Sequence, residues 1–194
     1  MNKLNAVIMI VVFLFIQNLN ADTYKIDKNK TEINWTGKKL AGQHNGLINI
    51  KSGNLKVENG ELKSGTINVD MSSLTVLDIK DSKYNKKLLN HLQSDDFFST
   101  NKYPSSQLKI KSIKSIGKNK VKITADLTIK GITKSVVFET NFEIKGKKLT
   151  AKAKIIIDRT KYDITYSSGN FFENLGDKLI HDNFELDINL VAFK

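Results

Sequence analysis

The sequence has no cysteine and one proline among its 194 residues. Without cysteine the chain cannot form disulfides, a thiolate-ligated metal site, a thiol nucleophile or an acylated lipoprotein cysteine. The single proline, Pro104, and the lack of low-complexity stretches favour one compact domain. Hydrophobic residues make up 40% of the chain and charged residues 26%. This balance is typical of a globular protein and excludes disorder, collagen and a multi-span membrane protein.

Arginine is also scarce, because Arg159 is the only one in a chain of net charge +11. The many lysines alternate with apolar residues, as at Lys109 and Lys111 or Lys152 and Lys154, so we expect them to face solvent all round the fold. Nucleic-acid readers use arginine for bidentate contacts and exposed aromatics for stacking. The charge pattern therefore predicts no nucleic-acid partner.

The first 21 residues differ from the rest of the chain. Lys3 precedes an apolar run over residues 6–16, and polar residues followed by Ala21 end the segment. This order is typical of a secretory signal peptide. The run is about half the ~20 residues that a membrane-spanning helix needs, which disfavours a permanent anchor. We expect removal of residues 1–21, a mature domain over residues 22–194, and a periplasmic or secreted protein.

The second half of the chain alternates apolar and polar residues with a period of two. Such alternation predicts strands with one buried face. Four long strands of this kind are predicted, over residues 121–129, 136–144, 149–157 and 184–192.

The first half shows the same alternation in shorter pieces, at Tyr24/Ile26, Ile33/Trp35, Ile48/Ile50, Leu55/Val57, residues 67–71 and Leu108/Ile110. Turn residues separate the strands, at Gly53-Asn54, Asn59-Gly60, residues 117–119 and Gly146. An antiparallel meander of this length must close on itself to hide its apolar face and its edges. The pattern predicts an all-β fold, an extended antiparallel lipocalin-like barrel of about eight strands.

One segment has a helical period instead. Tyr84, Leu88 and Leu92 recur every four positions, which predicts a short helix over residues 82–92, with Asp81 or Ser82 as its cap. Residues 94–96 could cap a second helical turn. We expect one or two short helices at the barrel ends, acting as a plug or lid.

Several motifs together resemble the YceI-like family, in order and spacing, over essentially the whole mature chain. They are residues 35–38 (Trp-Thr-Gly-Lys), 42–46 (Gly-Gln-His-Asn-Gly), 91–98 with Tyr103-Pro104, 127–134, 158–162 and 176–182. The resemblance implies a lipocalin-like barrel that binds a long isoprenoid or other lipid chain in its interior, without catalysis and without a cofactor.

The residues themselves leave the state of the interior open. Small side chains on the inward face, such as Ala125 and Ala153, would leave parts of a barrel open, or would only relieve crowding in a filled core. With the resemblance, we expect a cavity. The candidate lining residues are Ala125, Leu127, Phe138, Phe142, Ala153, Ile155 and Phe184.

Further candidates come from the aromatic residues. Trp35 is expected to anchor the core and to touch ligand. Phe171 and Phe172 lie between two glycine-containing turns and are candidates for a gate at one mouth. Phe98 and Tyr103 are expected to be structural.

Three polar residues are candidates for a head-group site. Arg159 offers a planar fork for a phosphate, although Asp158 and Asp163 make a structural ion pair an equal alternative. Lys38 and His44 lie on a glycine-rich hairpin, where the backbone can approach a ligand closely or simply curve sharply.

Catalysis and metal binding find little support. The three histidines have no metal-binding spacing, and no nucleotide-binding or hydrolase motif is present. We expect a non-catalytic lipid-binding barrel with no cofactor and no metal. A structural or stress-protective barrel with a filled core, and a hydrolase or isomerase acting on a hydrophobic substrate, are the alternatives. We also expect transient contact with a membrane surface and formation of a homodimer.

Overall fold

The computed structural model describes residues 21–194, so the predicted signal segment, apart from Ala21, lies outside the described residues. Within residues 21–194 no helix has the length and apolar character needed to cross a bilayer. The elements are β1 (Asp22–Ile26), β2 (Glu32–Lys39), β3 (Gly42–Leu47), β4 (Asn49–Glu58), β5 (Glu61–Asp70), α1 (Ser82–Gln93), β6 (Ser105–Gly117), β7 (Lys120–Ile129), β8 (Ile132–Lys145), β9 (Lys148–Asp158) and β10 (Ile180–Phe193).

The strands close into an eight-position antiparallel barrel. Strands β4 to β10 form a meander in which each pairs with the next. On the edge opposite β9, β10 pairs with β2 over residues 180–189 and with β1 over residues 192–193. The strands β1 and β2 therefore share one position in the wall. In turn β2 pairs with β3 and β1 pairs with β4. The predicted lipocalin-like barrel of about eight strands is confirmed.

The two ends of the barrel are built differently. The lower end carries tight hairpin turns, including Asn59-Gly60, where both residues have positive φ (53° and 77°). The upper end carries the β2–β3 hairpin, a connection over residues 71–104 that contains α1, and a loop over residues 163–179 between β9 and β10. The irregular parts of the chain are thus gathered at the upper end.

Helix α1 begins where its capping residue lies. The Asp81 carboxylate accepts hydrogen bonds from the backbone N–H groups of Lys83 and Tyr84, at 2.9 and 3.0 Å. The predicted helix is confirmed. Ser94 ends α1, and residues 94–99 form a single hydrogen-bonded turn rather than a second helix, since the N–H groups of Phe97 and Ser99 donate to the Ser94 carbonyl at 3.1 and 2.9 Å.

One predicted hairpin is wrong. Gly53-Asn54 lies within the continuous strand β4, at a β-bulge between Ile50 and Ser52. The bulge moves the buried positions of β4 from even numbers (Ile50) to odd numbers (Leu55), which made one strand look like two. Glycine is favoured beside the bulge, since a Cβ at Gly53 would lie 2.9 Å from the backbone oxygen of Thr66 on β5.

The wall lacks a ladder over two stretches in the described part of the chain. One lies between residues 61–65 of β5 and residues 110–114 of β6, since only residues 66–70 and 105–109 of these strands pair. The other lies between β8 and β9. Residues 140–145 of β8 pair with residues 148–153 of β9, whereas no ladder joins residues 132–139 to residues 154–158 in the described part of the chain. Continuing the register would place Val137 opposite Ile156, and these outward side chains are 55% and 60% exposed. We call this unpaired stretch between β8 and β9 the seam.

Candidate functional site

Two apolar cavities lie along the barrel axis, one above the other. The upper cavity has a volume of about 130 Å³ and the lower one about 60 Å³. Successive inward residues of β7 show the order, since Ile123 lines the lower cavity and Leu127 the upper. Ala125 lies between them with no exposed surface. The alternating apolar residues of this strand are therefore the ones that face the cavities.

Trp35 is held on the wall of the upper cavity by its ring nitrogen. The indole N–H donates to the carbonyl of Thr75 at 3.0 Å. This contact needs the segment around Thr75 to cross close over β3, where a Cβ at Gly46 would lie 1.8 Å from the Thr75 oxygen. Glycine at position 46 is thus required for the tryptophan to be anchored.

Arg159 lies at the top of the upper cavity and is 4% exposed. Its guanidinium donates to the backbone carbonyls of Ile164, Ile180 and His181, at 2.7, 2.9 and 3.1 Å. The carboxylate of Asp182 is farther away, at 3.5 Å. Burial lowers the pKa of Arg159, and Asp182 partly offsets this, but arginine stays charged in proteins. Its donors mainly join the ends of the 163–179 loop.

Aromatic and aliphatic side chains from the upper-end connection cover the cavity. Leu92 of α1 and the following Phe97 and Phe98 line it, and the Phe98 ring meets Phe184 of β10 edge-on, with centroids 6.1 Å apart. His91 packs edge-on against both Phe97 and Tyr166, at 4.9 and 4.6 Å. This cluster attaches α1 to the 163–179 loop, so the helix and the loop form one cover.

A model of the YceI-like domain matches residues 24–192. The chain belongs to the YceI-like family. UPF0312 proteins from two Pseudomonas putida strains, F1 and KT2440, are each 29% identical over 130 residues, which is 66% of this chain and 65% of the length of these curated relatives.

Solved structures share the fold. BcnA from Burkholderia cenocepacia is 22% identical, with a TM-score of 0.68 over 86% of this chain and 99% of that one. A polyisoprenoid binding domain from Saccharophagus degradans, implicated in plant cell wall breakdown, is 12% identical, with a TM-score of 0.64 over 88% and 97% of the two chains. The YCEI protein of Campylobacter jejuni is 21% identical, with a TM-score of 0.56 over 100% and 99%.

Most of the predicted lining residues reach the cavities of this YceI-like barrel. Leu127, Arg159, Phe184 and Trp35 line the upper cavity. Phe138, Ala153 and Ile155 line the lower one. Thr140 also lines the lower cavity, and its buried hydroxyl has no hydrogen-bond partner among the described residues.

Other predicted residues lie away from the cavities. Lys38 points outward and its ammonium binds Glu185 at 2.6 Å. His44 pairs with Asp78 at 2.8 Å, and Phe142 lies in a surface depression near the lower turns. Phe171 and Phe172 are 57% and 50% exposed on the 163–179 loop and line neither cavity. Their roles as ligand contacts or gate stay predictions.

The sequence interpretation missed lining residues on α1, on the irregular segments and at the start of β10. Phe98, which we expected to be structural, lines the upper cavity together with Leu92, Phe97, Ile164, Ile180 and His181. No strand alternation marks the residues before β6, because their inward direction is set by how the connection folds over the barrel. The pairing of aromatics at Phe97-Phe98 was the one available signal.

His91, Ser94 and Asp96 include the residue types of a catalytic triad, but their side chains are not arranged as one. The Ser94 hydroxyl donates to the His91 carbonyl at 2.8 Å rather than facing the ring, and the ring binds Asp96 at 3.1 Å. No group of three or more metal-ligating side chains is found within residues 21–194. These contacts are those of a helix end.

Proposed function

We propose that the protein is a non-catalytic periplasmic binding protein that holds a long isoprenoid or other lipid chain inside the barrel, for storage or transport. The observation that carries this proposal is the pair of apolar cavities stacked along the axis of a closed barrel. The polyisoprenoid binding described for the Saccharophagus degradans relative supports the ligand class. The signal-like segment over residues 1–21 supports export.

The cavity volumes set a condition on this function. Sites for drug-sized ligands measure roughly 300–1,000 Å³, whereas these cavities measure about 130 and 60 Å³. A long chain therefore needs the two cavities to join, which requires side chains such as Leu127 and Ile155 to rotate away from the axis. Ala125, between the two cavities, has only a methyl group and does not need to move. The small volumes equally favour the second candidate, a structural barrel with a filled core.

Few polar groups reach the cavities, which supports binding without catalysis. In the upper cavity the donors of Arg159 are occupied by backbone carbonyls, and the Ser106 hydroxyl donates to the sulfur of Met71 at 3.0 Å. His181 and Asn183 also line this cavity, but both residues are solvent-exposed. The lower cavity has only the Thr140 hydroxyl among its lining side-chain polar groups. A hydrolase or isomerase would need several polar groups that converge on one substrate atom.

Extraction of the purified protein with organic solvent, followed by mass spectrometry, tests the proposal. We expect a long-chain isoprenoid or other lipid in near-stoichiometric amount, and rebinding of a polyprenol by the lipid-stripped protein. Ala153→Phe fills the lower cavity and should reduce lipid content at least about fivefold while the protein stays folded, because a cavity accepts a larger side chain that a packed core rejects.

Lys152→Phe is the matched control, because Lys152 is adjacent on β9 but exposed. It should leave lipid content unchanged. If the wild type yields no lipid, binds no polyprenol and unfolds on Ala153→Phe, the filled-core barrel replaces the carrier.

A further inference from the structure

The outer surface of α1 and the segment before it combines lysines with exposed apolar side chains. Lys83, Lys86 and Lys87 all face solvent on the helix, and Lys80 precedes it. Leu77 and Tyr84 lie beside them, 55% and 62% exposed. We call these six residues the α1 face.

The lysines of the α1 face have no acidic partner. None of the four forms an ion pair within residues 21–194, although eleven other lysines there do. The nearest carboxylates in sequence are already engaged. Asp81 accepts the first N–H groups of the helix, and Asp78 accepts from His44 and from the backbone of Asn45. Residues 77–87 contain these four lysines and the two aspartates, so the segment keeps a net charge of +2 that is available to an external partner.

The opposite side of α1 covers the upper cavity. Leu88 and Leu89 pack against the core, and Leu92 lines the cavity itself. A helix with its side chains is about 10–12 Å across. Whatever binds the α1 face thus lies one helix thickness above the apolar interior.

We propose that the α1 face docks the protein on the surface of an anionic phospholipid bilayer. Clustered lysines are attracted to anionic lipid head groups. A tyrosine and a leucine beside them suit the boundary between head groups and acyl chains, where amphipathic rings accumulate. Arginine, which nucleic-acid and phosphopeptide sites use for bidentate contacts, is absent from this surface.

Other exposed apolar residues at the upper end are consistent with a membrane facing this end of the barrel. Leu40 at the tip of the β2–β3 hairpin is 62% exposed, and its backbone N–H bonds the carbonyl of Leu179 at the end of the 163–179 loop. Phe171 and Phe172 lie on that loop beside the acidic residues Glu173 and Asp177. These side chains lie at the same end of the barrel as the α1 face.

Cosedimentation with vesicles tests the docking. Lipid-stripped protein is mixed with vesicles of phosphatidylethanolamine and phosphatidylglycerol, or with pure phosphatidylcholine. We expect binding to the anionic vesicles alone, weakened at least about tenfold when NaCl rises from about 0.05 to about 0.5 M. The triple variant Lys83→Glu, Lys86→Glu, Lys87→Glu should lose at least roughly 100-fold in affinity.

The matched control places the same charge change on the barrel wall, as Lys109→Glu, Lys114→Glu, Lys122→Glu. These lysines are exposed on β6 and β7 and form no ion pair in the described part of the chain. The control should change affinity less than about threefold. Leu77→Ser with Tyr84→Ser should remove the binding that persists in high salt.

Three results would overturn the docking proposal. They are no binding to phosphatidylglycerol vesicles, equal losses in the two triple variants, and α1-dependent binding to soluble heparin without binding to vesicles. The vesicles contain no polyprenyl lipid and the protein is stripped. Failure of the cavity to hold a lipid therefore leaves this measurement unaffected, and the two proposals can fail separately.

Discussion

At the scale of single residues, Arg159 shows how a buried charge can serve the fold. Three backbone carbonyls, two of them at the start of β10, receive its donors. Removing the guanidinium would leave those carbonyls without partners in a buried place, which is more costly than the net value of the hydrogen bonds themselves. The residue therefore closes the upper end of the barrel.

Arg159→Met keeps most of the side-chain volume and removes the donors. We expect the free energy of unfolding to fall by about 2–4 kcal/mol, measured by urea denaturation. Lys161→Met, two residues on, removes an exposed lysine whose partner Asp158 lies 3.7 Å away, and should cost about 0.5 kcal/mol or less. Equal stability of the two variants, with lipid affinity lost only in Arg159→Met, would instead assign Arg159 to a lipid head group.

The sequence could not decide between these roles of Arg159. It contained the acidic neighbours at positions 158 and 163, but the guanidinium binds backbone carbonyls instead, two of them at Ile180 and His181, more than twenty residues away. Every residue has a backbone carbonyl, so the residue types do not show which carbonyls accept hydrogen bonds. Trp35, by contrast, was predictable as an anchor because a buried indole N–H needs a partner in any fold.

At the scale of elements, Glu185 joins three strands of the wall. From β10 its carboxylate binds Lys154 of β9 at 2.7 Å and Lys38 of β2 at 2.6 Å. These two hydrogen bonds lower the pKa of Glu185 to about 2. In an unfolded chain the pKa of a glutamate is about 4.3. The stabilisation is therefore present above about pH 4.3 and is lost as the pH falls towards 2.

Glu185→Gln should remove this part of the acid dependence. We expect the variant to be less stable than the wild type at pH 7 and to approach it near pH 2.5, in urea denaturation repeated across the pH range. Glu139→Gln is the comparison, because Glu139 binds one lysine, Lys120, and is more than half exposed. A pH profile of Glu185→Gln parallel to that of the wild type would show that the carboxylate contributes nothing.

Elements with an unbroken period of two were predictable and interrupted ones were not. Strands β7 to β10 alternate over their predicted lengths, so their buried faces could be assigned from sequence. In β4 the bulge after Ile50 changes the parity, and Gly53 then resembles a turn residue although close packing favours it. A bulge is a feature of the pairing between two strands, so the residue pattern of one strand does not show it.

At the scale of the whole molecule, the barrel must widen if a long chain is to join its two cavities. Parting paired strands breaks ladder hydrogen bonds, whereas the seam has none to break. It also lies beside the lower cavity, since Phe138 and Ile155 flank it and line that cavity. Widening is therefore expected at the seam, between residues 132–139 of β8 and residues 154–158 of β9. The unpaired stretch between residues 61–65 of β5 and residues 110–114 of β6 is the other place where no ladder has to break.

Amide hydrogen exchange can locate this weakness within single strands. Both hairpins around β8 have two-residue turns, at residues 130–131 and 146–147, so the odd-numbered amides of β8 point towards β9. Ser135 and Val137 then face the seam, as does Ile156 from β9, while Asn141 and Glu143 bond across the intact ladder. We expect the three seam amides to exchange at least about tenfold faster than the two ladder amides. Since both sets lie in the same hairpin, global unfolding affects them equally, and equal protection would mean that the wall is closed here and must open elsewhere.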